Sequence, residues 1–187
     1  MIEVEFLGTG TSTGVPQLGC ECEVCKSADP RDKRLRCSAI VRTQGVSLLI
    51  DCGPDFRQQM LRASDLHLDA LLITHSHYDH VGGMDDLRPY CREIPFPVYA
   101  QPNVVADIKA RIPYCFREHL YPGVPTFDMH PLAGEPFEVK GVRVEPLPVM
   151  HYKLPIFGYR IGNLAYITDA KTIPPSTMAR LQGIDTL

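Results

Sequence analysis

The short segment that ends at His80 carries four side chains that commonly bind metal ions, namely His75, His77, Asp79 and His80. It directly follows the apolar run 70–73, which is typical of a short buried strand. Residues two apart in an extended segment project to the same side, so His75 and His77 can bind one cation together. Asp79 and His80 follow where the strand gives way to loop and helix, and we expect them to face a second cation. Imidazole ligands suit zinc, iron or nickel, and a carboxylate ligand extends the choice of metal ion to manganese.

The alternative is a chance cluster of solvated loop histidines. Three of the chain's seven histidines would then fall together by accident, interleaved with an aspartate beside the end of a buried strand. Four specified residues at fixed spacing arise by chance in roughly one in 10³ chains of this size. The metal site is therefore the favoured interpretation.

A second group of metal-capable residues is Cys20, Cys22 and Cys25, which place three thiols within one short loop. This density favours a structural zinc over three core residues. A closed zinc site needs a fourth ligand, for which Cys37 is one candidate. Seven cysteines, an odd number, and no secretory leader argue against a disulfide framework. The four scattered cysteines are expected in or near the core.

Elements of both helix and strand are expected to position these residues. Strand pairs mixed with single helices predict an α/β fold in which sheets pack face to face, with helices outside. Pro146 weakens the end of the sixth strand and indicates an edge position there. The predicted strands span residues 2–7, 38–42, 46–51, 70–74, 98–100, 142–147, 157–161 and 164–168, and the predicted helices span 55–63, 83–88, 104–111 and 175–181.

Composition bounds the class of protein. The 187 residues, with 44% hydrophobic and 22% charged residues, suit one domain with a real core. No apolar run is long enough to span a membrane, and the N-terminus lacks a leader, so we expect a cytoplasmic protein. A net charge of −3 argues against general nucleic-acid binding. The basic segment 31–36 is the local exception: it could attract an anionic substrate, or it is a solvated loop.

The histidine pattern, preceded by a strand, resembles the signature of the metallo-β-lactamase superfamily of hydrolases. The other segments that are similar to landmarks of this superfamily span residues 7–12, 49–53, 149–151 and 166–169. The Gly-Val-Pro turn before the cysteine loop, the Cys37-Ser38 pair and the segment 151–154 resemble one branch, the phosphoribosyl cyclic phosphodiesterases. The resemblance implies an αββα sandwich, with the metal site at one edge between the two sheets.

The resemblance also implies roles for individual residues. The first metal is held by His75, His77 and His151, and the second is held by Asp79, His80 and a bridging Asp169. Taken alone, a histidine such as His151 or an aspartate such as Asp169 at the end of a strand is more often structural than a metal ligand. Two divalent cations, zinc or manganese, would share a hydroxide that attacks a phosphodiester.

Neighbouring residues would support this chemistry. Asp79 could also orient the hydroxide as a catalytic residue. We expect Asp51 to accept a hydrogen bond from a ligand histidine. Lys153 and Lys171 are candidate substrate-binding residues for a phosphate, unless they are merely solvated. The glycine-rich segment 8–14 either offers backbone N–H groups to a phosphate or forms a tight turn under the site.

One expected ligand has no counterpart here. The superfamily normally has another metal-ligand histidine beyond the bridging carboxylate, whereas no histidine follows Asp169. We therefore expect residues 1–187 to be a single metallo-β-lactamase-like domain that is incomplete at its C-terminus. The same missing end would carry the histidine that completes the cysteine site in the family. The second catalytic metal site is expected to be weak.

These observations favour a metal-dependent phosphodiesterase that acts on a small cyclic ribosyl or nucleotide phosphate. A transfer-RNA processing nuclease is an alternative that the acidic net charge disfavours. A third is a non-catalytic protein of cofactor biosynthesis, because the pyrroloquinoline quinone pathway has a protein with a similar cysteine-rich turn. The expected partner is a small phosphodiester, without membrane or nucleic acid, and the sequence leaves a homodimer open.

Overall fold

A computed structural model describes residues 1–187. Its strands form two sheets, one with six strands in the order β1-β2-β3-β4-β5-β6 and one with four in the order β10-β9-β8-β7. The strand bounds are β1 Ile2–Gly8, β2 Ser38–Thr43, β3 Val46–Ile50, β4 Ala70–Leu72, β5 Phe96–Ala100, β6 Phe127–Pro131, β7 Phe137–Val139, β8 Val142–His151, β9 Leu154–Ile161 and β10 Leu164–Tyr166.

The helices are short and lie between strands. They are α1 Glu23–Lys26, α2 Phe56–Met60, α3 Tyr78–Val81, α4 Pro102–Arg111 and α5 Pro175–Arg180, with 3₁₀ turns at Pro30–Asp32, Met84–Cys91 and Pro113–Phe116. None of these helices has the length and apolar character that crossing a membrane would require.

The six-stranded sheet changes from antiparallel to parallel at β3. Strands β1, β2 and β3 form an antiparallel meander, and β3 to β6 run parallel. Parallel neighbours need crossover connections, which here contain α2, α3 and α4. All five residues of β3 are buried, as expected for a strand covered on both faces. The C-terminal ends of β3 and β4 consequently meet at one edge of the sheet.

Two buried clusters cover the two faces of this sheet. One contains 17 residues and joins Leu49 and Leu71 to α2 and α4, and the other contains 16 and joins Leu48 and Leu72 to the second sheet. A smaller cluster packs Leu181 onto the outer face of the second sheet. The layers are therefore helices, sheet, sheet and helix, which confirms the αββα sandwich.

Strand β8 is longer than predicted, because its prolines do not end it. The N–H of Met150 donates to the Thr172 carbonyl at 2.9 Å, on the side away from β9. Pro146 and Pro148 share that alternation, so their missing N–H groups fall on the side not paired with β9. Since β7 reaches β8 only as far as Val144, the predicted edge position of Pro146 is confirmed.

Other element boundaries also differ from the prediction. Strands β6 and β7 were not predicted, β9 begins at Leu154, and β10 ends at Tyr166. Helix α2 is shorter than expected, and the predicted helix 83–88 is a 3₁₀ helix, Met84–Cys91, which contains Pro89.

Candidate metal centre

The histidine segment begins where β4 ends, at the edge of the six-stranded sheet. His75 and His80 are buried, and α3 begins one residue after His77. The Nε2 atom of His75 lies 3.0 Å from Nδ1 of His77, and Nε2 of His80 lies 3.3 Å from Oδ2 of Asp79. The sharp entry into α3 thus turns four side chains toward one point.

The second sheet supplies the other two predicted residues. His151 is the last residue of β8, not a residue beyond its exit as predicted, and its ring centroid lies 5.2 Å from that of His77. Asp169 follows β10 in a left-handed backbone conformation, with φ 53°. Its Oδ2 lies 3.6 Å from Nε2 of His75 and 3.3 Å from Nε2 of His80. The centre therefore lies between the sheets.

The ligand atoms fall into two overlapping groups, each spanning no more than 4.8 Å: His75, His77, His151 and Asp169 form one, and Asp79, His80 and Asp169 form the other. Asp169 belongs to both groups. Imidazole nitrogens with carboxylate oxygens suit zinc, manganese or iron. The donor set thus fits two neighbouring divalent cations, and the assignment of each ligand stays a prediction.

Asp51 supports this centre from beneath. Its fully buried carboxylate accepts hydrogen bonds from the Thr74 N–H and Thr74 hydroxyl, both at 2.8 Å, and lies 2.6 Å from Nδ1 of His80. The Thr74 hydroxyl, having donated to Asp51, can accept from Nδ1 of His75 at 3.0 Å. The Nδ1 proton of each imidazole is therefore directed at Thr74 or Asp51, which turns Nε2 of each ring toward the candidate metal site. The geometry agrees with the role predicted for Asp51.

Burial and charge act in opposite directions on the two buried histidines. Burial is the largest influence on His75 and, with the nearby His80, lowers its pKa to about 4. Burial also acts to lower the pKa of His80, but Asp51, Asp169 and Asp79 outweigh it and raise that pKa to about 11. The hydrogen bond from His80 lowers the pKa of Asp169 to about 2. The negative potential of three carboxylates at His80 is suited to a cation.

Close backbone contact holds the loop of Asp51 against α3. The N–H of Cys52 donates to the His80 carbonyl at 2.7 Å, and the N–H of Gly83 donates to the Cys52 carbonyl at 2.9 Å. A Cβ atom at Gly53 would lie 2.0 Å from the Asp79 carbonyl oxygen. Only glycine therefore permits this approach, which brings Asp51 within reach of His80.

Helix α4 braces the segment from outside, which sequence reasoning missed. The Ser76 hydroxyl donates to Asp107 at 2.5 Å, and Arg111 donates to the Ser76 carbonyl at 3.2 Å. The Arg111 guanidinium also lies 5.9 Å from the centre of the Tyr78 ring. The only signal in the sequence is the four-residue spacing of Asp107 and Arg111, which places them on one helix face.

The three clustered cysteines come together as predicted. Their sulfur atoms lie within 4.8 Å of one another in and beside α1. Hydrogen bonds lower the pKa of Cys22, and the bond from the backbone N–H of Cys25 contributes most. Cys37 does not join them: its sulfur lies 3.1 Å from the Tyr166 hydroxyl and 3.5 Å from that of Thr168. Cys37 is therefore wrong as a fourth ligand of this site.

The candidate phosphate contacts differ in their outcome. Lys153 lies in the turn after His151, and Lys171 is two residues past Asp169; both are exposed, and their role stays a prediction. In the glycine-rich segment, the N–H of Gly10 donates to the Leu35 carbonyl and that of Gly14 to the Thr11 carbonyl, at 2.7 and 2.9 Å. Both N–H groups therefore already have partners, one in the segment that packs on the turn and one within the turn, which favours the tight-turn interpretation.

Comparisons with known proteins identify the family of this chain. Residues 47–187 match the family described as the beta-lactamase superfamily domain. A protein of Porphyromonas gingivalis named octanoyltransferase is 52% identical over 170 residues, which cover 90% of this chain and 35% of that protein. The chain thus spans about a third of the length of this relative.

Two solved structures share the fold over nearly the whole chain. A diphosphatase from the PhnP family has a TM-score of 0.89 and 39% identity, with 99% of this chain and 72% of the other covered. Zinc-bound PqqB from Methylobacterium extorquens has a TM-score of 0.79 and 26% identity, with 99% and 71% covered. The chain belongs to the beta-lactamase superfamily and has the metallo-β-lactamase fold.

Proposed function

We propose that this protein is a dinuclear metal-dependent phosphodiesterase that hydrolyses small cyclic ribosyl or nucleotide phosphates. The observation that carries the proposal is the pair of ligand groups that share Asp169. The similarity to a diphosphatase from the PhnP family supports phosphate ester or anhydride chemistry. The protein named octanoyltransferase is matched by this chain over 35% of its length, so we do not propose acyl transfer for this chain.

When bound, two divalent cations would lower the pKa of water and stabilise the charge that develops on the phosphoryl oxygens. The protein's own residues would position and hold protons. Asp51 orients His75 and His80 by accepting, directly or through Thr74, the protons on their Nδ1 atoms, so that the Nε2 atom of each ring faces the metal site. Asp79 would accept a hydrogen bond from the attacking water and fix its direction.

The substrate phosphate would be attracted by exposed cations at the rim. Lys153 and Lys171 each follow a predicted ligand, His151 and Asp169, by two residues, and no carboxylate forms an ion pair with either lysine. Their charge would offset that of a phosphodiester as it approaches. A non-catalytic role is the competing hypothesis, and the similarity to PqqB supports it.

Hydrolysis of bis(p-nitrophenyl) phosphate in the presence of manganese or zinc tests this function. We expect turnover in the unmodified protein and a loss of activity by a factor of roughly 10² or more in His75→Ala. His119→Ala is the matched control, because His119 is exposed and far from the cluster in sequence. Absence of metal-dependent turnover in the unmodified protein would instead favour a binding role.

A further inference from the structure

The basic segment 31–36 contributes to a cavity that the proposed reaction does not use. The cavity has a volume of about 460 Å³ and lies between this segment, the end of β1 and the residues after α2. Its lining contains four cationic side chains and no carboxylate; the cations are Arg31, Lys33, Arg34 and Arg62.

Backbone contacts fix the basic segment against the glycine-rich turn. Val15 and Arg34 exchange two backbone hydrogen bonds of 2.9 and 2.8 Å. A Cβ atom at Gly8 would lie 2.1 Å from the Arg36 carbonyl oxygen, so the segment could not approach a larger residue. The cations therefore project from an anchored backbone, which distinguishes them from a solvated basic loop.

Three of the four positive charges lack a counter-charge. Asp29 pairs with Arg31 at 2.6 Å. Lys33 and Arg34 donate only to backbone carbonyls, those of Cys25 and Arg31, at 3.4 and 3.3 Å. Arg62 forms no ion pair. Like charges gathered around one cavity repel one another, and an anion within the cavity would relieve that repulsion.

The cavity is lined by the end of β1, which lies at the same end of the six-stranded sheet as the candidate metal centre. Gly8 pairs with Ser38 of β2, whose hydroxyl donates to the backbone carbonyl of Asp51 at 2.9 Å. Gly8 and Asp51 are thus separated by two strand spacings, or about 10 Å. An elongated ligand could therefore occupy the cavity and the metal centre together.

We propose that this cavity is a second anion site, which binds phosphate groups that are not cleaved. Its volume suits a ligand of nucleotide size. The phosphates would come from the remote part of an elongated nucleotide diester, a case that rests on the proposed phosphodiesterase function and extends it to longer substrates, or from a separate phosphorylated nucleoside. Arginine and lysine together provide the multiple charged donors that phosphate prefers.

The test uses the metal-loaded protein and a triple variant, Lys33→Ala with Arg34→Ala and Arg62→Ala. The matched control removes three exposed cations elsewhere, with Arg92→Ala, Lys109→Ala and Arg117→Ala, so that net charge changes equally. The substrates are bis(p-nitrophenyl) phosphate, which has one phosphate, and the p-nitrophenyl diester of a thymidine dinucleotide, which has further phosphates. Binding of fluorescent adenosine 3′,5′-bisphosphate is measured in parallel.

If the substrate supplies the phosphates, the cavity variant raises KM for the dinucleotide ester about tenfold and leaves bis(p-nitrophenyl) phosphate unchanged. If a separate ligand supplies them, only bisphosphate binding is lost. Equal KM values and equal bisphosphate binding in the cavity and control variants would overturn the proposal. Failure of the unmodified protein to hydrolyse either ester would contradict the proposed function alone, because the binding measurement still tests the cavity.

Discussion

The carboxylate of Asp51 lies 2.6 Å from the imidazole of His80, measured between Oδ2 and Nδ1. Asp51 is the residue after β3 and adopts a left-handed backbone conformation, with φ 60°. The strain of that conformation is compensated by the hydrogen bonds from Thr74 and by the contact with His80. One buried acid thereby orients two predicted ligands, one for each cation.

Replacement of Asp51 by Asn should weaken metal binding by about 10- to 100-fold, because the neutral amide no longer supports the Nδ1 protons of His75 and His80. Competition with a chromophoric chelator measures this affinity. The control is Asp65→Asn, an exposed residue. Unchanged metal affinity in Asp51→Asn would show that this carboxylate does not orient the ligands.

The brace from α4 should couple Ser76 to Asp107. A double-mutant cycle with Ser76→Ala and Asp107→Ala is expected to give a coupling free energy of about 1 kcal/mol in metal binding. The cause is their 2.5 Å hydrogen bond, which fixes the residue between the two histidines. A coupling of zero, with full activity in both single variants, would mean that the brace leaves the centre unaffected.

Gly53→Ala should destabilise the protein by about 1–3 kcal/mol, because the added methyl group meets the Asp79 carbonyl oxygen. Urea unfolding of the metal-loaded protein measures the free energy. Gly19→Ala provides a comparison in which the Cβ meets no atom within 4 Å, although its φ of 75° adds some strain. A smaller loss at Gly53 than at Gly19 would contradict the close packing of the Asp51 loop on α3.

The ion pair between Asp69 and Lys140 joins the start of β4 to the hairpin of the second sheet, with Oδ1 and Nζ 2.5 Å apart. Burial alone would raise the pKa of Asp69, but the hydrogen bonds from Lys140 and the Ser47 N–H outweigh it and lower that pKa. A lowered native pKa stabilises the fold above the unfolded value, near 4, and this stabilisation disappears as pH falls through the native value.

Asp69→Asn should therefore reduce the free energy of unfolding at pH 7 by about 1–3 kcal/mol, and the difference should shrink toward pH 3. Denaturant titrations at both pH values provide the measurement. Asp128→Asn, in a pair whose carboxylate side chain is 59% exposed, is the control. A difference that grows toward low pH would reverse the sign of the predicted linkage.

Local spacing accounts for much of what the sequence could predict. The alternation around His75 and His77 predicts their common direction, and the apolar runs predict β3 and β4. Short strands such as β6, Phe127–Pro131, carry Asp128, His130 and a terminal proline without clear alternation, so they were missed. Their pairing depends on a neighbouring strand that is distant in sequence.

Contacts between distant segments were the part that spacing could not supply. His151 and Asp169 entered the predicted site through family resemblance, since each alone is an ordinary residue at the end of a strand. The brace by Asp107 and Arg111 depends on how α4 docks beside Ser76. Likewise, the basic segment lines a cavity only because it folds back onto Gly8 and Gly10.

Manganese titration followed by electron paramagnetic resonance, on the unmodified protein and on Asp169→Ala, tests the shared carboxylate most directly. Manganese avoids the thiols of the cysteine cluster. We expect the unmodified protein to bind one cation tightly at the three-histidine group and a second more weakly, with spin coupling between them. Asp169→Ala should lose the second cation and the coupling. Identical cation numbers, affinities and coupling in the two proteins would contradict the bridging role of Asp169.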